Sequence, residues 1–334
     1  MKILYTGPFT RGSLTEARRQ ALCDLGQEVI ELDQVPYLQC RWRFSQKAQQ
    51  HLLIGNGVAS YNRDLVNLAK GSKPDIVYID QAVYLWAATV SELRRNAGLV
   101  VHYTSEYLGF RSYLYRHFFK AVHLYDTHVI TNELNRPILE AKGARRILKT
   151  EFGYCPRLHH PPHLTEEDRR KYASEAVFIG HWEPETEQVI GALRQAGIAV
   201  RVWGPGWRRA RSLCDRCDIQ PLYGHEYVKA LAAAKLGLCF LSKWNFNGSA
   251  SRTFEIPSVG GFLLAERTPD HLSYFAERKE AEFFSSTEEL IRKAQYYIRH
   301  ERERQAIAAA GYRHCVGSGY THERRMQQTL QDLR

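Results

Sequence analysis

The sequence NFNGSASRTFEIPSVGGFLLAE, from Asn245 to Glu266, places a loop, a short helix and a strand in direct succession. Small polar residues at 247–251 indicate the loop, and the following residues, with Arg252 and Glu255, indicate a helical turn. The pair Gly260-Gly261 predicts a hinge, and FLLA predicts a buried parallel strand. A cation and a carboxylate three positions apart share one helix face, where they suit a ligand with phosphates and a sugar hydroxyl. The alternative is a surface Arg–Glu pair beside an ordinary strand–turn–helix joint.

The residues on both sides of this stretch alternate between apolar strands and amphipathic helices, which is typical of an α/β fold. In the second half of the chain the pattern predicts a helix EYVKALAAAK at 226–235 and strands VFIG at 177–180, AVRVWG at 199–204 and LGLCFLS at 236–242. In the first half it predicts strands KILYTG at 2–7, EVIELD at 28–33, PDIVYID at 74–80, GLVVHYT at 98–104 and DTHVITN at 126–132.

Between the halves, the stretch GYCPRLHHPPHLTEED at 153–168 is rich in Pro and His and lacks apolar periodicity, which is typical of a linker. Its histidines His159, His160 and His163 could ligate a metal, but the two prolines among them favour a stiff, solvated hinge. Two α/β arrays joined by a linker predict two Rossmann-like domains that face each other across a cleft.

The amino-acid composition favours a soluble globular protein over a membrane-spanning one. Hydrophobic residues make up 44% and charged residues 25% of the 334 residues, which is typical of a soluble globular protein with two ordinary domains. No apolar run approaches the ~20 residues of a membrane span. The N-terminal MKILYTGPF has neither the length nor the cleavage site of a signal peptide. We therefore expect a cytoplasmic protein without a transmembrane segment.

The formal net charge of +10 comes mostly from arginine. Basic charge suits nucleic acids, anionic membranes or phosphate-rich substrates. The sequence contains no RNP motif, zinc finger or lysine-rich tail, so we expect no nucleic-acid partner. An anionic substrate and peripheral contact with a membrane both stay open, and most arginines are expected on solvated helix faces.

The seven cysteines are an odd number and are scattered through strand-like and helix-like segments, as reduced thiols are. Cys214 and Cys217 form a single CxxC pair, with only His225 nearby. A zinc site would need a second pair or well-placed histidines. We therefore expect solvated loop cysteines and no metal site there.

Ligands of doubly wound sheets bind beyond the carboxyl ends of the strands. In the second half, the loops at those ends hold Gly180 and Trp182, then Gly204, then Lys243 and Asn247. A glycine, an aromatic or a basic residue in each loop indicates a nucleotide pocket, with backbone N–H groups for phosphate and apolar contacts for the base. The alternative for each tryptophan is core packing.

In the first half, the corresponding loops hold Gly7 and Thr10 after the first strand, and Ser105 and Glu106 after GLVVHYT. Glu106, with Ser105 beside it, is the candidate to bind an acceptor hydroxyl and take its proton. His102 lies just inside the strand and is the second catalytic candidate. Its alternative role is that of a hydrogen-bonded structural residue.

From about residue 150 to 327 the sequence resembles the CgeB-like, spore-coat-type family of glycosyltransferases. The matching motifs are VFIGHWE, RVWGPGW, GHEYVKALAAAKLGLCFL, SRTFEIPSVGGFLLAERT and AIAAAGYRHCVGSGYTHERR. The resemblance implies a GT-B fold with an acceptor domain at 1–160, a nucleotide-sugar domain at 161–317 and a helix at 318–334 that returns to the first domain. It also implies no cofactor and no obligatory metal, and the chain contains no Asp-x-Asp motif.

The resemblance also implies roles for single residues in binding the donor. Glu255 corresponds to the carboxylate that binds the donor ribose, and Arg252 and Lys243 would take the phosphates. Tyr223 and Tyr227 lie where the loop that contacts the base tends to fall.

Gly260, in the hinge after the helical turn, is placed with the donor-binding residues. Many retaining GT-B enzymes carry a further Glu eight positions before the ribose carboxylate, and here that position is Asn247. The paired-Glu signature is therefore incomplete.

The function expected from these features is transfer of a hexose from a nucleoside-diphosphate sugar to a hydroxyl of a glycan, glycoprotein or small molecule. An alternative is a catalytically inactive GT-B protein that binds nucleotide sugar or glycan in a surface or spore-coat assembly, which Asn247 keeps open. A nucleotide-sugar epimerase is a third alternative, but we identify no diagnostic epimerase residues.

Overall fold

The computed structural model describes residues 1–39, 49, 51–81, 83–110, 112–210, 217–218 and 220–334, with only the backbone for 217–218. In these ranges the chain forms two compact units. The first comprises Met1–Glu151 together with His322–Arg334, and the second comprises Phe152–Thr321. Cys214 and the side chain of Cys217 lie outside the described residues, so the prediction for the CxxC pair falls outside them too.

The first unit is built on a six-stranded sheet. Its strands are β1 (Lys2–Gly7), β2 (Glu28–Asp33), β3 (Ile76–Asp80), β4 (Leu99–Thr104), β5 (Thr127–Ile130) and β6 (Ile147–Lys149). Its helices are α1 (Leu14–Asp24), α2 (Val35–Leu38), α3 (Asn56–Ser72), α4 (Ala87–Asn96), α5 (Arg116–Ala121) and α6 (Asn135–Glu140), with 3₁₀ turns at Ser112–Tyr115 and Val122–Leu124. The strands are all parallel, in the order β2-β1-β3-β4-β5-β6.

The second unit contains a second six-stranded parallel sheet. Its strands are β7 (Ser174–Ile179), β8 (Val200–Trp203), β9 (Cys217–Asp218), β10 (Ala234–Cys239), β11 (Leu263–Glu266) and β12 (Glu282–Phe284). Its helices are α7 (Glu166–Tyr172), α8 (Pro184–Gln195), α9 (Gly224–Ala233), α10 (Arg252–Ser258), α11 (Pro269–Tyr274), α12 (Thr287–Arg299) and α13 (Glu301–Gly317), with a 3₁₀ turn at Trp207–Arg209. The strand order is β9-β8-β7-β10-β11-β12. The predicted pair of parallel-sheet, Rossmann-like α/β domains is therefore confirmed.

The end of the chain is a helix of the first unit, α14 (His322–Asp332). Met326, Leu330 and Leu333 are buried in one apolar cluster with Ile3 of β1 and Leu22 of α1. The first unit is thus assembled from both ends of the chain. Among the described residues, no helix combines the length and the apolar character that crossing a membrane requires.

The predicted boundary between the helix at 226–235 and the strand at 236–242 is wrong by two residues. Helix α9 ends at Ala233, and strand β10 already includes Ala234 and Lys235. Alanine and lysine favour a helix locally. Here Ala234 pairs in parallel register with Ser174 of β7, so sheet pairing overrides the local preference.

Candidate functional site

The order of strands in the second unit identifies the place where a ligand is expected. Strands β7, β8 and β9 follow one another toward one edge, and β10, β11 and β12 follow one another toward the other. The order therefore reverses between β7 and β10, which makes this point the topological switch of the sheet. Doubly wound sheets bind ligands there, beyond the carboxyl ends of the strands. The loops at 180–183 and 240–251 border this point.

Arg252 lies at this switch point. Its two terminal nitrogens donate to the carbonyl of Ile179, at 3.2 Å, and to the carbonyl of Phe240, at 2.9 Å. These carbonyls stand at the ends of β7 and β10, and the guanidinium lies over the ring of Phe178, 5.1 Å from its centre. Among the described residues, the Nε of Arg252 has no hydrogen-bond partner and no carboxylate lies within 4.0 Å of the guanidinium. The arrangement presents a positive charge that suits an anionic ligand.

Glu255 lies one turn further along α10 and is buried. Its Oε2 accepts a hydrogen bond from the hydroxyl of Tyr227 at 2.5 Å, and its Oε1 lies 3.9 Å from Nε2 of His159. Burial, together with the charge of Glu255, raises the pKa of Tyr227 well above its ordinary value. The carboxylate predicted to bind a ribose is thus held in place by a neutral phenol. The structure brings Arg252, Glu255 and Tyr227 into one region.

The prediction that His159 is part of a solvated hinge is wrong. The imidazole is buried, and its Nδ1 accepts a hydrogen bond from the backbone N–H of Cys155 at 3.1 Å. Burial lowers the pKa of His159, so the ring is neutral with its proton on Nε2, which faces Glu255. The ring also packs edge-on against Tyr227, at 5.9 Å between centres. His160 and His163 are exposed, as the hinge prediction requires.

A second set of contacts at the switch point was missed from the sequence. Nε2 of His181 lies 2.7 Å from Oε1 of Glu183, and the other oxygen of Glu183 accepts the backbone N–H of Lys243 at 2.9 Å. The ammonium of Lys243 pairs with Glu266 at the end of β11. Lys243 is therefore at the predicted site but already has a carboxylate partner. A histidine two positions before a glutamate in a loop after a strand was the available sequence signal.

The loop before α10 is held by a buried chain of hydrogen bonds. The hydroxyl of Thr253 accepts the N–H of Ala250 at 3.1 Å and lies 2.8 Å from Nε2 of His271. The other ring nitrogen of His271 donates to the carbonyl of Glu266 at 2.6 Å. Burial lowers the pKa of His271, so the ring is neutral and Nε2 accepts from the threonine. Neither Thr253 nor His271 was singled out in the sequence, because their contact joins residues that lie far apart in the chain.

Gly180, Gly204 and Trp182 shape the ends of β7 and β8. A Cβ at Gly204 would lie 2.0 Å from the carbonyl oxygen of Gly180, and Gly204 has a φ of 141°. The indole N–H of Trp182 donates to Glu187 at 2.7 Å, and its ring packs against the apolar core. Trp182 thus makes the core contacts that were given as the alternative for the tryptophans. The two glycines allow adjacent loops to approach closely.

The remaining donor-side residues, Tyr223, Gly260 and Asn247, lie near the ends of helices α9 and α10. Tyr223 precedes α9 and is 39% exposed, whereas Gly260 follows α10 with a φ of 79° and turns the chain toward β11. Asn247 lies half-buried in the loop before α10, next to Gly248, whose carbonyl accepts the hydroxyl of Thr268 at 2.6 Å.

In the first unit, His102 and Glu106 line one small cavity of about 30 Å³, together with Gln81, Thr104 and Tyr115. Nδ1 of His102 lies 3.0 Å from Nδ1 of His128, whose Nε2 donates to a backbone carbonyl. Burial lowers the pKa of both imidazoles, that of His128 to about 4.

Both rings are therefore neutral. Because His128 donates from Nε2, its Nδ1 has a lone pair and accepts a hydrogen bond from the Nδ1–H of His102. His102 thus forms the buried hydrogen bond that its alternative, structural role requires, and its Nε2 keeps a lone pair.

The acceptor-side residues Gly7, Thr10 and Ser105 lie at, or directly after, the carboxyl ends of β1 and β4 in the first sheet. Gly7 ends β1 and lies against Asp80, and a Cβ there would lie 3.0 Å from the Asp80 carbonyl oxygen. Thr10 lies in the exposed loop before α1, and Ser105 is buried directly after β4. Asp80 itself is fully buried and pairs with Arg18 at 2.7 Å.

Comparison with known proteins supports the same fold. Residues 184–331 match the model of a family described as glycosyl transferase-like. The matched range includes the switch-point residues Lys243, Arg252 and Glu255. No curated protein matches the chain significantly.

Solved structures match over the entire chain. Sucrose-phosphate synthase from Thermosynechococcus elongatus has a TM-score of 0.72 at 12% identity, covering 100% of this chain and 98% of that one. Anabaena HepE in complex with UDP-glucose has a TM-score of 0.68 at 14% identity, with 100% and 99% covered. The E. coli trehalose-6-phosphate structure bound with UDP-2-fluoro glucose has a TM-score of 0.68 at 12% identity, with the same coverage. The chain has the fold of the GT-B glycosyltransferases.

Proposed function

We propose that this protein is a glycosyltransferase that moves a hexose from a nucleoside-diphosphate sugar to a hydroxyl of a glycan, glycoprotein or small molecule. The observation that carries the proposal is the pair formed by Arg252 and Glu255 at the switch point of the second sheet. Arg252 presents a guanidinium without a carboxylate partner among the described residues, and Glu255 presents a buried carboxylate one turn away. The family match over 184–331 supports the same class of reaction.

The donor is proposed to carry uridine diphosphate. Two of the similar structures are complexes with UDP-glucose and with UDP-2-fluoro glucose. In the proposed complex, Arg252 binds the diphosphate and Glu255 accepts hydrogen bonds from the ribose hydroxyls. Tyr227 keeps the carboxylate oriented, and Tyr223 lies on the loop proposed to contact the base. The resemblance to the CgeB-like family also belongs to this proposal.

In the proposed reaction, the acceptor oxygen forms a bond to the anomeric carbon of the donor. The bond from that carbon to the diphosphate oxygen breaks, and its electron pair stays on the departing UDP. Arg252 stabilises the added negative charge, as preorganised cations do in a transition state. Glu106 is proposed to take the proton of the acceptor hydroxyl. No step of this proposal requires a divalent metal.

A thermal-shift panel of nucleoside-diphosphate sugars, followed by a release assay for UDP, tests the proposal. A donor at 100 times its dissociation constant stabilises the folded protein by about 2.7 kcal/mol and raises the melting temperature. We expect UDP-hexoses to do so, and we expect UDP release in the presence of EDTA. Activity that disappears on chelation and returns with magnesium would overturn the metal-free mechanism. No stabilisation by any nucleotide sugar would overturn the proposed function.

A catalytically inactive, sugar-binding protein is the second candidate, and Asn247 is the observation that favours it. The position eight residues before Glu255 lacks the carboxylate that many retaining relatives carry. Binding of donor without hydrolysis or transfer to any acceptor would support this candidate over the enzyme. Transfer by the wild-type protein would exclude it.

A further inference from the structure

The loop between β7 and α8 carries an exposed imidazole held by a buried carboxylate. The side chain of His181 is 51% exposed, and that of Glu183 is 2% exposed. Their contact, 2.7 Å between Nε2 and Oε1, is a hydrogen bond at the lower end of the usual range of distances. A carboxylate placed in this way fixes the orientation and the protonated nitrogen of an imidazole.

Each oxygen of the Glu183 carboxylate accepts a hydrogen bond. Glu183 is the residue before α8, where a side chain commonly caps the first N–H groups of the helix, but it makes no such bond. Its second oxygen instead accepts the N–H of Lys243 from the loop after β10. The carboxylate therefore joins the two loops that border the switch point and also bonds the imidazole of His181, which belongs to the first of them.

Nδ1 of His181 remains available. Because Nε2 donates to Glu183, a neutral ring presents a lone pair at Nδ1, and a protonated ring presents a second N–H there. Among the described residues, no hydrogen bond to Nδ1 is formed. The ring packs beside Trp244, 5.8 Å between centres, and so stays on the side of the loop after β10.

Charged side chains near the loop of His181 come from α8, from the loop after β10, from β11 and from α10. Glu183 contacts the imidazole directly, and Glu185 lies in the first turn of α8. From the loop after β10 comes Lys243, whose ammonium is neutralised by Glu266 of β11. Arg252 of α10 reaches the carbonyl of Ile179, two residues before His181. A phosphate bound next to Arg252 would thus lie close to an imidazole with a free nitrogen.

We propose that His181, oriented by Glu183, is a donor-binding residue that contacts the diphosphate in its protonated form, so that donor binding takes up a proton. Nδ1–H donates to a phosphate oxygen, and the proton comes from the solvent. The inference rests on the proposed function, because it assigns a further contact to the same nucleotide site. It adds a second cationic contact to that of Arg252, and this contact exists only when the ring is protonated.

Calorimetry of UDP binding at pH 7.5 in two buffers with different ionisation enthalpies measures proton uptake directly. A histidine that is neutral in the free protein and charged in the complex takes up a proton when the ligand binds. We expect uptake by the wild-type protein, and we expect His181→Gln to bind UDP about 5- to 10-fold more weakly without that uptake, as the loss of a charge-assisted hydrogen bond implies. Uridine, which has no phosphate, should bind both proteins equally. His160→Gln, at an exposed histidine of the linker, is the matched control and should behave as wild type.

Glu183→Gln tests the orienting carboxylate separately. It keeps a side chain that can hydrogen-bond the ring but removes the negative charge that pairs with a protonated ring, so UDP should bind more weakly while circular dichroism stays unchanged. Wild-type affinity and uptake in His181→Gln would overturn the assignment, as would an equal loss of uridine and UDP affinity. If wild-type protein binds neither UDP nor any UDP-sugar, the proposed function itself fails and the assignment falls with it. UDP binding without proton uptake would overturn this inference alone.

Discussion

At the scale of single residues, the candidate site depends on two side chains, Arg252 and Glu255, that differ in charge and in hydrogen-bond partners. The guanidinium of Arg252 bonds two carbonyl oxygens and lies over an aromatic ring, and within the described part of the chain it has no carboxylate partner, so its charge is available to a ligand. Glu255 is buried and already accepts one hydrogen bond, from Tyr227. The guanidinium can therefore bind phosphate, and the carboxylate keeps lone pairs that can accept a hydrogen bond from a hydroxyl.

Substitution of these two residues should weaken donor binding without unfolding the protein. Glu255→Ala should cost ~1–3 kcal/mol of donor affinity, because donor hydroxyls lose a buried acceptor. Arg252→Ala should cost at least as much, because a charge-assisted phosphate contact is lost. Titration calorimetry with UDP-glucose measures both, and Arg292→Ala, at an exposed arginine of α12, is the control. Unchanged affinity in a folded Glu255→Ala protein would remove Glu255 from the site.

At the scale of secondary-structure elements, the backbones of the loops after β7 and β8 lie so close together that the residue at position 204 can have no Cβ. Gly204 has a φ of 141° and leaves no space for a Cβ beside the carbonyl of Gly180. The indole of Trp207 also donates to that carbonyl, at 2.8 Å. The position of the His181 loop therefore depends on a glycine in the neighbouring loop.

Gly204→Ala should destabilise the protein by ~3 kcal/mol or more, because the added methyl group overlaps backbone and the φ is unfavourable. Gly197→Ala is the matched comparison, since Gly197 has a φ of 84° and open space around it. That substitution should cost only the ~1–2 kcal/mol of the left-handed conformation. Urea denaturation followed by circular dichroism compares the two, and equal costs would show that the close approach contributes nothing.

At the scale of the whole molecule, each of the two units has its own parallel sheet and its own apolar core. The first unit also buries a pair of neutral histidines, His102 of β4 and His128 of the neighbouring strand β5. Charging either ring in the folded state would place a cation in an apolar environment. The stability of this unit should therefore depend on pH.

Acid should unfold the protein through this pair. The pKa of His128 is lowered to about 4 in the folded state, whereas an unfolded histidine titrates near 6.5. The unfolded state thus binds more protons between these values, so stability is complete above pH ~6.5 and decreases as pH falls toward ~4. The loss from His128 alone should approach ~3 kcal/mol.

Denaturation midpoints at pH 7.5 and pH 5 measure this effect. His128→Gln keeps groups that can bond the carbonyl of Val122 and the ring of His102, but it cannot be protonated, so its midpoint should fall less with acid. The exposed His160→Gln variant should retain the wild-type dependence. Equal acid sensitivity in wild type and His128→Gln would show that other groups control it.

The sequence alone determined the fold class, the parallel strands and the helical turn of Arg252 and Glu255, because these depend on residues a few positions apart. Continuous apolar runs such as IVYI at 76–79 belong to strands buried on both faces, and this run is buried throughout. The same local pattern misplaced the end of α9, since the pairing of Ala234 with a distant strand has no local signal.

Only the tertiary structure decided what each candidate side chain touches. Tyr227 meets Glu255 across 28 positions, and Lys243 meets Glu183 across 60. His159, in a segment whose composition is that of a solvated linker, is buried against the site. The physical reason is that hydrogen bonds and burial depend on distances in space, which the crossover connections of a parallel sheet set between residues far apart in the chain.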